Sequence, residues 1–176
     1  DMLRLAKNYF DSKRPIRFLD PALGTGVFFS ALLDIFNPKQ IQKAVGFEID
    51  NQIASIAKKL WSPFGLHVRN EDFTRAEAPS SDAEKFNLII CNPPYVRHHY
   101  LDRETKDRLR GLVRRRLGLS ISGLAGLYCY FLLLADGWLT RDGIALWLGS
   151  QDNYKEEPHK FGIAQRYFLS VFLILA

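Results

Sequence analysis

The residues best suited to chemistry lie in the stretch "CNPPYVRHH", residues 91–99, which directly follows the apolar run "FNLII". Two prolines at the end of a buried strand do little for a sheet, because neither Pro93 nor Pro94 can donate a backbone hydrogen bond. Asn92 offers a neutral side-chain carbonyl, and the fixed φ angle of proline holds the Pro93 carbonyl beside it as a second acceptor. Tyr95 adds an aromatic face. The stretch therefore predicts two rigid hydrogen-bond acceptors next to a stacking surface.

Three acidic residues follow three successive predicted strands upstream of this stretch. Asp20 ends "IRFLD", Glu48 lies in "AVGFEID", and Asp72 comes after "LHVRN". An acid in the position of Glu48 takes both hydroxyls of a ribose in dinucleotide folds, and a carboxylate after the third strand can accept a hydrogen bond from an adenine amino group. Either residue alone is as readily an ordinary polar residue where a strand meets a loop. Together they favour a nucleoside-binding site.

A glycine turn follows the first of these strands, in "FLDPALGTG". Gly24 and Gly26 allow the backbone to turn sharply and to approach a ligand, and the helix that follows offers its N-terminal amides. The turn by itself fits a nucleotide phosphate equally well.

The elements that must position these residues alternate between strands and helices. Apolar periodicity predicts helices at residues 2–10, 27–36, 52–61 and 127–139, and strands at 16–20, 44–50, 66–70, 86–91 and 143–149. This alternation implies parallel βαβ units and a sheet covered on both faces, which binds ligands at the carboxyl ends of its strands.

Length and composition indicate one globular domain in a reducing compartment. The chain has 176 residues, of which 47% are hydrophobic. Cys91 and Cys129 are too few for a disulfide framework or a zinc site, and His98 and His99 lack metal-ligand partners, so no metal is predicted. The apolar run at residues 167–176 is about half of what a membrane helix needs and is interpreted as core. A cytoplasmic protein without a membrane partner is expected.

Basic residues are concentrated directly after Tyr95. Residues 97–116 contain eight Lys and Arg and three acids, a net charge of +5, while the rest of the chain is close to neutral. Such a segment fits contacts with nucleic-acid phosphates, although for any single arginine a solvated helix face is the simpler interpretation. The candidates are Arg97, His98, His99, Arg114, Arg115 and Arg116.

The motifs "DPALGTG", "FEID", "NEDF" and "NPPYVR", in this order, resemble the S-adenosylmethionine-dependent adenine-N6 DNA methyltransferases of bacterial restriction-modification systems. The resemblance spans residues 1–149, which form the expected catalytic domain. It implies an α/β three-layer sandwich with the Rossmann-like methyltransferase fold, and it leaves open whether the final strands are present. Residues 150–176, which include "SQDNYKEEPHKFGIAQRY", do not resemble the family and stay unassigned.

The same resemblance implies roles for individual residues. S-adenosylmethionine would be bound by Asp20, Pro21, Ala22, Gly24, Gly26, Glu48, Ile49, Asp72, Phe73 and Asn92. The target base would be oriented by Asn92, Pro93, Pro94 and Tyr95, with the two acceptors fixing a poorly nucleophilic exocyclic amine for in-line displacement. The substrate implied is double-stranded DNA with a flipped adenine.

Several alternatives remain open. The Asn-Pro-Pro-Tyr motif also resembles that of protein-glutamine methyltransferases and of some RNA guanine-N2 methyltransferases, because each methylates a planar nitrogen. The family's segment that contacts the methionine carboxylate would lie upstream of Asp1, so a catalytically inactive fragment with little turnover of its own is a further expectation. A target-recognition or nuclease region would then belong to a longer polypeptide or a separate subunit.

Overall fold

The protein is described by a computed structural model that covers residues 2–149 and 171–174. Within these residues, six parallel strands form one sheet in the order β3-β2-β1-β4-β5-β6. The strands are β1 (Ile16–Asp20), β2 (Ile41–Phe47), β3 (Leu66–Arg69), β4 (Phe86–Cys91), β5 (Leu139–Gly149) and β6 (Val171–Ile174). The helices are α1 (Met2–Lys7), α2 (Val27–Ile35), α3 (Asn51–Trp61), α4 (Arg103–Leu117) and α5 (Leu127–Asp136).

The sheet is covered by helices on both faces. Successive residues of a strand point to opposite faces, so neighbours such as Phe18 and Leu19 enter different hydrophobic clusters. Phe18 packs in the cluster that contains the buried residues of α1, α2 and α3. Leu19 packs in the cluster that contains those of α4 and α5. The predicted three-layer α/β sandwich is confirmed.

The expected elements are present, with shifts at some ends. β1 and β4 have the predicted bounds. β2 starts three residues earlier than predicted and ends at Phe47, so Glu48 follows the strand rather than lying in it. β5 starts at Leu139 rather than at residue 143, because Leu139 already pairs with Phe86 before a register shift in the strand pair.

A sixth strand extends the sheet beyond the five that were predicted. β6 pairs in parallel with β5, with Leu146 opposite Val171 and Gly149 opposite Ile174. The sequence left open whether the final strands of the fold are present, and β6 shows that one strand follows β5. The stretch "SQDNYKEEPHKFGIAQRY" and the other parts of the run 167–176 lie outside the described residues. No helix within the described ranges is long and apolar enough to cross a bilayer.

Candidate active site

The predicted site residues meet at the carboxyl ends of the central strands. β1 and β4 are neighbours in the sheet, and they end at Asp20 and Cys91, both of which are fully buried. Burial is the main cause that raises the pKa of the Cys91 thiol, with a smaller contribution from the Asp20 charge. Cys91 is therefore a neutral core residue that brings the Asn-Pro-Pro-Tyr motif next to the glycine turn.

The glycine turn has a geometry that requires glycine. Gly24 and Gly26 both have positive φ angles, of 55° and 89°, and α2 begins immediately afterwards. The Trp61 indole lies against Gly26, and its Nε1–H donates to the Thr25 carbonyl over 2.6 Å. A Cβ atom on Gly26 would lie 2.3 Å from Trp61 Nε1. The turn is thus held from the end of α3, by a residue that the motif did not single out.

Glu48 joins the turn to the end of β2. Its Oε2 accepts from the Gly24 N–H over 2.9 Å, and its Oε1 accepts from the Asp50 N–H over 2.8 Å. Asn70 supports the same segment, since its side-chain amide donates to the carbonyls of Glu48 and Ile49. A carboxylate oxygen can accept more than one hydrogen bond, so each oxygen of the half-buried Glu48 keeps acceptor capacity for a ligand hydroxyl.

Asp20 carries a buried oxygen atom that is not satisfied. Its Oδ1 accepts from the Ala22 N–H over 3.1 Å, whereas Oδ2 has no hydrogen-bond partner among the described residues. The pKa of Asp20 is raised to about 7, mainly by burial and to a smaller extent by the negative charge of Glu48, against the opposing effect of the Ala22 hydrogen bond. Asp20 is therefore an acid that a nearby cation would readily ionise.

Asp72 lies at the third strand end and begins the short 3-10 turn Phe73–Arg75. Its Oδ1 accepts from the Thr74 N–H (2.8 Å) and the Thr74 hydroxyl (2.7 Å). Its Oδ2 lies 3.4 Å from Arg75 Nε and 3.7 Å from Arg108 Nη2 without a hydrogen bond to either, within the described part of the chain. Both arginines form ion pairs with this second oxygen, which keeps acceptor capacity for a hydrogen bond from a ligand.

The Asn-Pro-Pro-Tyr motif forms an extended loop after β4. Asn92 is exposed, whereas Pro93 is buried. The Tyr95 hydroxyl donates to the Leu148 carbonyl on β5, and the Val96 carbonyl accepts from the Leu127 N–H at the start of α5 over 2.9 Å. These contacts fix the loop at both sides and leave the Asn92 amide facing outward.

The other residues predicted to bind the cofactor differ in how exposed they are. Phe73 is 2% exposed and packs against the rings of Phe47 and Trp138, so its side chain belongs to the core. Pro21 is buried beside the half-buried Ala22. Ile49 is 71% exposed next to Glu48, where its side chain is free to cover a ligand.

The predicted nucleic-acid residues divide into exposed and docked groups. Arg114 and Arg115 are exposed in the last turn of α4, and no described residue forms an ion pair with either. Arg116 instead directs both terminal nitrogens at the Ala76 carbonyl over 3.4 Å. Arg97 is also exposed and precedes His98, His99 and Tyr100, whose rings contact one another edge-on or tilted; Tyr100 is 75% exposed.

Sequence reasoning missed four residues that support the site. Trp61 and Asn70 hold the glycine turn and the Glu48 segment, while Thr74 and Arg108 hold Asp72. Asn70 is the first residue of the motif "NEDF", and Thr74 directly follows that motif. Trp61 and Arg108 reach the site from the ends or faces of helices, so no local pattern marks them.

Solved structures place the fold in the S-adenosylmethionine-dependent methyltransferase class. A Listeria monocytogenes protein assigned to the class I methyltransferases of this type matches 90% of this chain and 46% of its own, with a TM-score of 0.69 and 13% identity. The methyltransferase subunit of a Streptococcus thermophilus type I restriction-modification system matches 76% of this chain and 29% of its own, with a TM-score of 0.55 and 16% identity.

The sequence narrows this class to one family. The model of the Eco57I restriction-modification methylases matches residues 29–156, so the chain belongs to that family. The type II methyltransferase M.AccI of Acinetobacter calcoaceticus is 31% identical over 140 residues, which are 79% of this chain and 24% of the relative. The resemblance to restriction-modification methyltransferases is thereby confirmed. The chain spans 21% to 24% of the length of three curated relatives.

Proposed function

We propose that this chain carries the cofactor-binding and base-binding residues of an enzyme that methylates the N6 amine of adenine in double-stranded DNA, as part of a restriction-modification system. The observation that carries the proposal is the meeting of Asp20, Glu48 and the loop at residues 92–95 at one edge of the sheet. The names of the family and of its type II relative support the substrate class. A flipped adenine is the substrate that this loop fits best.

The residues present fit S-adenosylmethionine. The unsatisfied Oδ2 of Asp20 suits a positively charged methionine end, because a cation would offset the cost of a buried carboxylate. The two oxygens of Glu48 suit the two ribose hydroxyls, since each keeps acceptor capacity beyond its one backbone donor. The Oδ2 of Asp72, which accepts no hydrogen bond from its two arginine neighbours, suits the adenine amino group.

The chain's own part in the reaction is orientation. When bound, S-adenosylmethionine supplies a methyl group that is attached to a positively charged sulfur. The leaving group is the rest of the cofactor, whose sulfur becomes a neutral thioether. The Asn92 side-chain carbonyl and the Pro93 backbone carbonyl accept from the two N–H bonds of the target amine, which draws the nitrogen towards tetrahedral geometry and directs its lone pair. Tyr95, whose hydroxyl is bonded to the Leu148 carbonyl, offers its ring to the base.

The basic segment brings the polyanion to this loop. A base inside a duplex reaches such a pocket only by leaving the helix, and an aromatic face offsets part of the lost stacking. Arg97 lies two residues after Tyr95, and α4 follows with its exposed arginines. Sequence recognition and any nuclease activity would belong to regions outside the 176 residues, in a protein of the cytoplasm.

A cofactor titration comes first in the test of this proposal. Calorimetry of the chain with S-adenosylmethionine should show saturable binding that Glu48→Ala weakens by about tenfold or more, since two acceptors are lost. Glu77→Ala is the matched control, because Glu77 is exposed and contacts none of these residues. A folded chain that does not bind S-adenosylmethionine would overturn the proposal.

Transfer to three acceptors then separates the candidate substrates. The full-length gene product is incubated with labelled cofactor and with an adenine-containing DNA duplex, a structured RNA or a glutamine-containing protein. N6-methyladenine in the duplex, identified by mass spectrometry, is the expected product. Methylated guanine in the RNA or methylglutamine in the protein, with an unmodified duplex, would assign the chain to the rival substrate.

A further inference from the structure

A directed hydrogen-bond relay connects α4 to the adenine side of the candidate cofactor site. Arg108 Nη2 donates to the Thr74 hydroxyl over 3.0 Å, and that hydroxyl donates its single proton to Asp72 Oδ1 over 2.7 Å. Arg108 Nη1 donates to the Thr74 carbonyl over 3.2 Å. One guanidinium thus holds both the backbone and the side chain of Thr74.

The relay is buried enough to be rigid. Thr74 is 2% exposed, and the side chains of Arg108 and Asp72 are 27% and 24% exposed. Because the Thr74 hydroxyl accepts from Arg108, its own proton points to a different partner, and the acceptor within reach is Asp72 Oδ1. The carboxylate is therefore held in one orientation, and its Oδ2, which forms ion pairs with Arg75 and Arg108, keeps acceptor capacity for a ligand.

The same helix carries the exposed arginines. Leu109 and Val113 pack the inner side of α4 into the core next to Arg108, while Arg114 and Arg115 remain exposed one to two turns further along. Arg116 adds a second attachment, to the Ala76 carbonyl just beyond the 3-10 turn. α4 is therefore attached at two points to the segment that holds Asp72.

We propose that Arg108 is a positioning residue which, through Thr74, holds Asp72 for the 6-amino group of the cofactor's adenine and couples nucleic-acid binding on α4 to cofactor binding. This inference rests on the proposed function and extends it to residues outside the motifs. By linkage, a duplex that changes the affinity for the cofactor is itself bound more or less tightly by the same factor when the cofactor is present.

Calorimetry with S-adenosylhomocysteine, which cannot react, tests the positioning role. Arg108→Met and Thr74→Val should each raise the dissociation constant about tenfold, because the carboxylate loses its fixed orientation. Arg103→Met is the matched control, since Arg103 is 97% exposed on the same helix and contacts Asp107 alone among the described residues. Arg108→Lys keeps the charge but not the two simultaneous hydrogen bonds to Thr74, so its dissociation constant should lie between those of Arg108→Met and Arg103→Met.

A change in the ligand separates positioning from general damage to the fold. S-inosylhomocysteine has a carbonyl in place of the 6-amino group, so it has no donor at position 6 for Asp72. The tenfold penalty of Arg108→Met and of Thr74→Val should therefore vanish with this ligand. Equal penalties for both ligands would overturn the inference, and so would unchanged binding of S-adenosylhomocysteine in both variants. Failure of the unsubstituted chain to bind either ligand would overturn the proposed function as well.

The coupling has its own measurement. The dissociation constant of S-adenosylhomocysteine is determined with and without a saturating DNA duplex, and the ratio of the two constants is compared between variants. In the unsubstituted chain the two constants should differ by about fivefold. Arg108→Met should bring the ratio close to one, while Arg103→Met should leave it unchanged, although both remove one positive charge. A ratio of one in the unsubstituted chain would overturn the coupling.

Discussion

At the scale of single residues, Asn92 is the side chain whose loss should separate catalysis from cofactor binding. It is exposed between the buried Cys91 and Pro93, so its removal leaves the core unchanged. We expect Asn92→Ala to lower turnover on DNA by about 100-fold or more, the order of magnitude for the loss of one oriented hydrogen-bonding group in a reaction centre. Single-turnover kinetics of the full-length enzyme measure this effect.

Cofactor affinity and the melting temperature serve as controls for Asn92→Ala. Both should stay close to those of the unsubstituted protein, since an exposed position contributes little to stability. Normal turnover of the variant would contradict the role of the side-chain carbonyl.

Asp20 should make stability depend on pH in an unusual direction. Burial raises the pKa of its carboxyl from 3.8 to about 7 in the folded chain. Between these values the folded state holds a proton that the unfolded state has released. As the pH rises through this range, the contribution of Asp20 to the free energy of unfolding therefore falls by up to about 1.4 kcal/mol per pH unit. Above pH 7 both states are ionised and the contribution is constant.

Urea unfolding of the unsubstituted chain and of Asp20→Asn, from pH 4 to pH 8, measures this contribution as a difference. As the pH rises from 4 to 7, the unfolding free energy of the unsubstituted chain should fall relative to that of Asp20→Asn. Above pH 7 the difference between the two should stay constant. A constant difference over the whole range would contradict a neutral Asp20 in the folded state.

Candidate site residues could be singled out from the sequence where the signal is local, whereas contacts that join distant segments could not. Asp20, Glu48 and Asp72 stand out because each follows a recognisable strand. Trp61 contacts Thr25 across 36 positions and Arg108 contacts Thr74 across 34, and no local pattern of residues encodes such distances. The supporting contacts therefore had to come from the structure.

At the scale of elements, the glycine turn between β1 and α2 allows a comparison of two similar positions. Gly24 and Gly26 both have positive φ angles, but a Cβ on Gly24 would meet nothing within 4 Å, whereas one on Gly26 would collide with Trp61. Gly24→Ala should cost about 1 to 2 kcal/mol of unfolding free energy for the backbone conformation alone. Gly26→Ala should cost about 1 to 3 kcal/mol more, because Trp61 has to move.

Denaturant titration of the two variants gives both values under the same conditions. A larger loss in Gly24→Ala than in Gly26→Ala would show that Trp61 does not hold the turn. A smaller cost of Gly26→Ala in the Trp61→Ala background than in the unsubstituted chain would confirm the collision.

The predictability of the elements follows the strength of their boundaries. β1 lies between Pro15 and Pro21, and β4 ends before the two prolines of the motif, so their ends are marked by residues that cannot continue a ladder. β5 has no such signal at its start, and its first residue pairs with Phe86 through a register shift that periodicity does not show. β6 follows a stretch that gives no clear pattern.

At the scale of the whole molecule, the basic segment and the candidate catalytic loop lie on connected parts of one fold. The net charge of +5 is matched by residues 97–116 alone, which leave the Asn-Pro-Pro-Tyr loop and continue into α4. The rest of the surface has little net charge to attract a polyanion. Electrostatic attraction should therefore bring DNA to this part of the molecule and not spread it over the surface.

This distribution gives a quantitative prediction for salt. Arg114 and Arg115 are exposed, so each can neutralise one phosphate, whereas Arg116 is engaged with the Ala76 carbonyl. The double variant Arg114→Ala/Arg115→Ala should weaken duplex binding at low salt and reduce the slope of log K against log salt by about 1.8, or about 0.9 per lost contact. Fluorescence anisotropy at several salt concentrations measures the slope, and Lys58→Ala/Lys59→Ala on α3 is the charge-matched control, because both lysines are exposed on the other face of the sheet. An equal loss of slope in the control would mean that DNA is attracted by net charge alone and that α4 has no special part in binding.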